Sequence, residues 1–144
     1  MVVRHVWSIQ EANEALPAVR QMLALARETE AALRDADDQV QDLKITYGDD
    51  VQRPDHPEHA AWMEWTRRLA RARRHVDVAF AAFAERQIVL KDLSLGLVDF
   101  YSRRGDEPVW LCWRDGEDTV AWWHPLRAGF GGRQPLPELD VTGV

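Results

Sequence analysis

The chain contains a single cysteine, Cys112. That excludes an internal disulfide and any multi-cysteine zinc site. Basic charge is not in excess either. Lys and Arg total 18 against 24 Asp and Glu, for a net charge of −6. Broad nucleic-acid binding needs a net basic face, so no nucleic-acid partner is expected. No apolar run approaches the roughly 18 residues of a membrane span. The opening stretch "MVVRHVWSIQEANEALP" lacks the apolar region of a signal peptide. A cytoplasmic protein without membrane contact is the expectation. Neither His-x-x-x-His nor His-Glu-x-x-His occurs, so no metal and no cofactor are expected from ligand spacing.

Tryptophan, by contrast, is plentiful: seven residues in a chain that is 46% hydrophobic. Each buried aromatic removes roughly 150–250 Å² from water, so 144 residues suffice for a core. A single domain over 1–144 is expected. Ser8 and Glu11 form a capping-box pattern with Trp7 placed as a hydrophobic staple, so a helix starts near Ile9. Pro17 predicts a kink, or the first residue of a second helix. Leu16, Val19, Leu23, Ala26, Leu33, Val40 and Leu43 recur at heptad-like steps, and the helix ends before Gly48. "GDDVQRPDHPEH" is a polar loop, with Pro57 suited to open the next helix and Asp55 or His56 to cap it. That helix carries its own seam: Trp62, Trp65, Leu69, Ala72, Val76, Ala79 or Phe80, and Phe83. The first helix is net acidic and the second net basic, which favours them as coiled-coil neighbours.

After Ile88 the period changes. "VLKDLSLGLVDFY", "PVWLCWR" and "TVAWWH" predict three antiparallel strands near Leu97–Tyr101, Val109–Arg114 and Thr119–His124, with "DGED" as a turn. Pairing Arg114 with Thr119 places Val109, Leu111, Trp113, Val120, Trp122 and His124 on one face, joined by Val98 and Phe100 if the first hairpin is also regular. The other carries Leu97, Asp99, Tyr101, Trp110, Cys112, Ala121 and Trp123. A slip of one residue would exchange these sets. The expected fold is α+β: a long antiparallel two-helix hairpin (about 9–88) packed on a three-stranded antiparallel β-meander, with a Gly-rich C-terminal tail over the sheet (about 89–136) and a flexible end at 137–144.

The segments "LSLGLVDF", "VWLCWRDGE", "WWHPLRAGFGGRQPL" and "WSIQEANEALPAVRQML" together resemble the bacterial domain-of-unknown-function family numbered 2203. The resemblance covers nearly the whole chain, least around Gly48. It implies a small bacterial cytoplasmic protein and transfers no catalytic residues. In that family's pattern Pro often follows the Asp-Phe pair and Glu the Trp-His pair; Tyr101 and Pro125 stand there in this chain. A carboxylate for His124 is therefore not supplied by its neighbour.

His124, with Asp99, Asp92 or Glu117 as possible companions, is a candidate ligand or base; as a lone His it reads first as a carbonyl-bonded residue capping an apolar face. "GFGGR" lacks the flanking strand and helix of a phosphate loop, so Gly129, Gly131 and Gly132 are expected at positive φ, laying Phe130 and Arg133 onto the sheet. His56, Glu58 and His59 read as a solvated loop. Arg67, Arg68, Arg71, Arg73 and Arg74 read as a charged helix face, and Cys112 as a small core residue. Arg133 is expected to pair with Asp99. The expected function is a non-enzymatic interaction module that self-associates as a homodimer. Two other readings stand beside it: a small-ligand or anion site on the sheet at Asp99, Trp110, Trp123, His124 and Arg133, and, least supported, a metal-dependent enzyme.

Overall fold

The computed structural model describes residues 3–136. The stretch 137–144, expected to be flexible, lies outside the described residues. The chain is α+β: two helices followed by one antiparallel sheet. Helix α1 spans Ile9–Tyr47 and α2 spans His59–Glu85. The sheet has five strands rather than three. They are β1 (Ile88–Asp92), β2 (Leu97–Arg104), β3 (Glu107–Arg114), β4 (Trp122–Pro125) and β5 (Gln134–Pro135), paired in chain order. The residues form two compact units: those through Ala24 with those from Ala82 onward, and Leu25–Ala81. No helix among the described residues is long and apolar enough to cross a membrane.

The first turn of α1 is closed by the capping box. The Glu11 amide donates to Ser8 Oγ (2.9 Å), and the Ser8 amide donates to Glu11 Oε1 (3.0 Å). The amide bond from Ser8 holds the Glu11 carboxyl below its ordinary range. Pro17 lies inside α1 and does not begin a second helix. In the unit that contains the sheet, Ala12, Leu16, Val19 and Leu23 are buried. Asn13 accepts the Val120 amide at 2.8 Å, and Arg20 donates to the carbonyls of Glu117 and Asp118. Trp7 packs edge-on against Phe100.

The unit 25–81 has a core of its own. Ala36, Val40 and Leu69 are buried together, with Leu33, Trp62 and Trp65 packed against them. The seam residues of both helices thus meet here, and Ala79, not Phe80, is the buried one of that pair. Helix α2 starts at His59 rather than at Pro57. His56 caps this approach by accepting the Glu58 amide on Nδ1 (3.0 Å).

Two expectations about the strands are overturned. The first two expected strands run further, because Gly105, at φ 60°, makes a two-residue turn between the paired Arg104 and Glu107, while the third, expected at Thr119–His124, is confined to Trp122–Pro125. More important, β3 and β4 pair as Cys112↔Trp122, Leu111↔Trp123 and Trp110↔His124. The register has slipped by one residue from the Arg114–Thr119 pairing. The reason lies in the connection, which is a fastened loop instead of a four-residue turn. Glu117 Oε1 accepts the Arg114 amide (2.7 Å), the Glu117 carbonyl accepts the Trp113 indole N–H (3.0 Å), and the Val120 amide is held by Asn13. Trp122 and His124 therefore join the face of Asp99, Tyr101, Trp110 and Cys112. Trp123 joins Phe100 and Leu111.

The tail pairs with the sheet edge through Trp122↔Pro135 and Trp123↔Gln134. Its glycines do not adopt positive φ; the left-handed ones are Gly48, Gly96, Gly105 and Gly116. Gly132 is required for another reason. It closes a 3-10 turn over Phe130–Gly132, and a Cβ there would meet Ala128 Cβ at 2.7 Å.

Candidate functional site

Pairing Asp99↔Cys112 and Cys112↔Trp122, with Trp110↔His124 beside them, brings three chemistry-bearing side chains onto one sheet face from three adjacent strands. Asp99 is 2% exposed, Cys112 0% and His124 2%. His124 Nε2 lies 3.1 Å from Asp99 Oδ2, and His124 Nδ1 lies 2.9 Å from the Pro125 carbonyl oxygen. A carbonyl only accepts, so Nδ1 carries a hydrogen and donates to it. Nε2 and Oδ2 then share one proton, because two lone pairs at that distance would repel. Wherever the proton sits, the pair is neutral overall, which suits a site removed from water.

Burial raises the Asp99 carboxyl above its ordinary value, opposed by the charge and hydrogen bond of His124. The Cys112 thiol contributes a weaker favourable interaction, yet Asp99 Oδ1 has no hydrogen-bond partner. Burial pushes the Cys112 thiol up to about 12, with the neighbouring Asp99 charge adding to it. A thiol so placed is protonated and not a nucleophile. One oxygen of Asp99, the Cys112 sulfur and one His124 nitrogen all lie within 4.8 Å of one another. All three are lone-pair donors of the kinds that ligate metal ions.

Aromatic and guanidinium groups surround this centre. The Arg4 guanidinium stacks on Tyr101 (4.1 Å to the ring centre) and Trp110 (5.0 Å). Arg133 stacks on Trp122 (4.9 Å) and Phe130 (4.5 Å). Its Nη2 donates to Glu117 Oε1 (2.7 Å) and Oε2 (2.9 Å), with a longer contact to the Cys112 carbonyl (3.4 Å). The expected Asp99–Arg133 pair is thus not formed; Glu117 takes Arg133 because the β3–β4 loop folds back beside the tail, and His124 takes Asp99.

Of the residues singled out from sequence, Asp99, Trp110 and His124 share the face and Arg133 flanks it. Trp123 is turned to the opposite face by the register slip, where Arg104 lies 5.4 Å from its ring. Trp122 takes the place expected for it. Among the proposed companions of His124, Asp99 is the partner; Asp92 instead accepts the Leu95 amide in the β1–β2 turn. Cys112 was the residue least legible as part of a site, since nothing near it in sequence supplies a partner. Elsewhere, His56 Nδ1 is engaged by Glu58, and His59 Nδ1 lies 3.0 Å from the Val51 carbonyl, so the two histidines are tied to separate backbone groups. Arg67 and Arg68 both pair with Glu64 on their own helix.

Residues 5–136 match the model of the family described as "Uncharacterized conserved protein (DUF2203)". None of the curated proteins and none of the solved structures matches the chain.

Proposed function

The chain belongs to the DUF2203 family, and from that premise we propose that it is a binding protein whose site is the polar centre of Asp99, Cys112 and His124, framed by Trp110, Trp122 and Arg133. The observation that carries this reading is the orphaned Asp99 Oδ1 in a buried cluster of lone-pair donors. Leaving a buried acceptor unsatisfied costs about 1–3 kcal/mol, and native folds keep few such groups. The donors select the ligand class. A carboxylate, a thiol sulfur and an imidazole nitrogen attract electron-pair acceptors: cations or hydrogen-bond donors. An anion is disfavoured at the Asp99 centre, because the carboxylate would repel it; Arg133 already holds the Glu117 carboxylate through Nη2, with its Nε unpaired. The test is a thermal-shift series with small amines, metal ions and phosphate. A concentration-dependent rise is expected for cationic or donor probes, absent in Asp99→Asn, with none from phosphate. Saturation at a hundred times Kd corresponds to about 2.7 kcal/mol. A series in which no cationic or donor probe moves the midpoint overturns the reading.

A second reading, self-association, rests on the unit 25–81. Its α1 segment, 25–47, holds six acids and three basic residues; its α2 segment, 59–81, holds five Arg and two acids. Between them lies a groove of about 540 Å³ with Glu28 and Asp35 on one rim and Arg68 and Arg71 on the other. Leu25 and Val78 are exposed in the same unit. A second copy related by a twofold axis sets acidic α1 against basic α2 twice over, which makes the chain itself the complementary partner. Light scattering is expected to give a dimer mass that falls in high salt and in the double variant Arg68→Glu, Arg71→Glu. A monomeric mass at every concentration would exclude it.

A further inference from the structure

We infer that Asp99, Cys112 and His124 form a mononuclear site for a borderline-soft divalent cation of the zinc class. This rests on the binding reading above and names its ligand.

The geometry comes first. Zinc holds sulfur at about 2.3 Å and nitrogen or oxygen at about 2.0–2.2 Å, so donors around one ion stand roughly 3.3–3.8 Å apart in a tetrahedron. His124 Nε2 and Asp99 Oδ2 are already 3.1 Å apart, and one oxygen of Asp99, the Cys112 sulfur and one nitrogen of His124 fall within 4.8 Å of one another. A modest closure of Cys112 onto the pair completes three corners. The donors come from adjacent strands of a hydrogen-bonded sheet, so their backbones are fixed relative to one another before any ion arrives.

The imidazole is oriented as a ligand requires. Its Nδ1–H is held by the Pro125 carbonyl, which fixes the tautomer and aims Nε2 inward. Such a backbone partner is the usual outer support of a metal-bound histidine. Asp99 Oδ1, buried without a hydrogen-bond partner, leaves lone pairs of the same carboxylate uncommitted at this centre.

Charge is consistent as well. One thiolate and one carboxylate together neutralise a divalent ion, so the loaded centre has no net charge, as the empty one has none. A buried site tolerates that exchange where it would not tolerate an uncompensated ion. On loading, the Cys112 thiol proton and the proton shared by Asp99 and His124 leave to solvent, and both electron pairs go to the metal. Thiolate and imidazole together favour zinc over magnesium or calcium, which prefer all-oxygen sites. Three protein ligands leave the fourth corner for water or a further small molecule.

The competing account is a structural His–Asp pair with a cysteine as neighbour. The two differ under metal titration of the chelator-stripped full chain. Cobalt(II) is the first probe, because Cys112 is the sole cysteine. A thiolate-to-cobalt charge-transfer band in the near ultraviolet therefore reports this residue with no variant needed. One equivalent of Co²⁺ is expected to produce the band together with intense tetrahedral visible absorption. Zn²⁺ is expected to abolish both stoichiometrically, and excess Mg²⁺ to leave them unchanged. Cys112→Ser removes the band, while Asp99→Asn and His124→Gln weaken Zn²⁺ binding by about tenfold or more. Absence of the band in folded wild-type protein overturns the inference. So does zinc binding that is unchanged in Cys112→Ser and Asp99→Asn. If the metals fail while a small amine still gives an Asp99-dependent thermal shift, the cation identity is wrong and the binding reading stands; if both fail, both are wrong.

Discussion

Cys112 and Asp99 lie side by side on paired strands; Asp99 makes ionisation of the thiol harder, whereas the carboxyl is raised by its own burial and eased by the thiol's hydrogen bond. For the thiol this has a direct kinetic consequence. With burial pushing it up to about 12, the thiolate fraction near neutral pH is far below that of a free cysteine, whose value is about 8.5. Labelling by a thiol reagent at pH 7.5 is expected to be at least about a hundredfold slower in native protein than in denaturant. Native labelling at the denatured rate would show the centre open to solvent. For Asp99 the consequence is thermodynamic. Its carboxyl is raised above the ordinary 3.8, so the folded state binds this proton more tightly than the unfolded chain does. The stability it contributes is fully present below 3.8 and is lost as pH rises through the folded value. Asn at this position keeps a donor for His124 Nε2 and does not titrate. The stability difference, wild type minus Asp99→Asn, is expected to shrink between acid and neutral pH in urea unfolding. A difference that stays constant or grows with pH would contradict this.

At the scale of elements, the β3–β4 connection decides where the site is. Alternation in "PVWLCWR" and "WWH" made the strands legible, and a regular first hairpin put Asp99 and Cys112 on one face. The face of His124 did not follow. It depends on whether the loop consumes an odd or an even number of residues, and that is settled by the Trp113 indole on the Glu117 carbonyl within the loop together with a contact remote in sequence, the Asn13 side chain on the Val120 amide. Local turn chemistry carries no record of the second. The same loop explains why Arg133 meets Glu117 and not Asp99. With side chains 11% and 25% exposed, the Arg133–Glu117 pair is screened less than a surface pair. A double-mutant cycle on Arg133→Gln and Glu117→Gln is expected to give a coupling above about 1 kcal/mol, and one on Arg133→Gln and Asp99→Asn a smaller value. The reverse ranking would mean that the tail engages the centre directly. Gly132→Ala tests the tail separately: its Cβ would clash with Ala128, so the 3-10 turn must shift.

Across the whole molecule, one helix serves two cores. The first turns of α1 place Leu16, Val19 and Leu23 in the unit that holds the sheet, and later turns place Ala36 and Val40 in the unit with Leu69. The seams were legible because helical spacing is local and repeats many times. The capping box was legible for the same reason, since both partners lie within one turn. That the residues divide into two compact units was not, because a single periodic seam looks alike on either side of Ala24. The division leads to a test with paired variants. Leu23 is 0% exposed and Leu69 is 8% exposed, so an aspartate at either position is a charge in an apolar surround without a partner. Each of Leu23→Asp and Leu69→Asp is expected to lower stability by several kcal/mol, in the range for buried unpaired charges. Hydrogen exchange adds the spatial readout. Leu23→Asp should lose protection first in the strand amides, and Leu69→Asp first in the helical amides of 25–81, because each variant damages a different core. An unaltered urea midpoint in either variant would refute the seam at that position. Identical protection loss in both would show that the two cores unfold as one cooperative body.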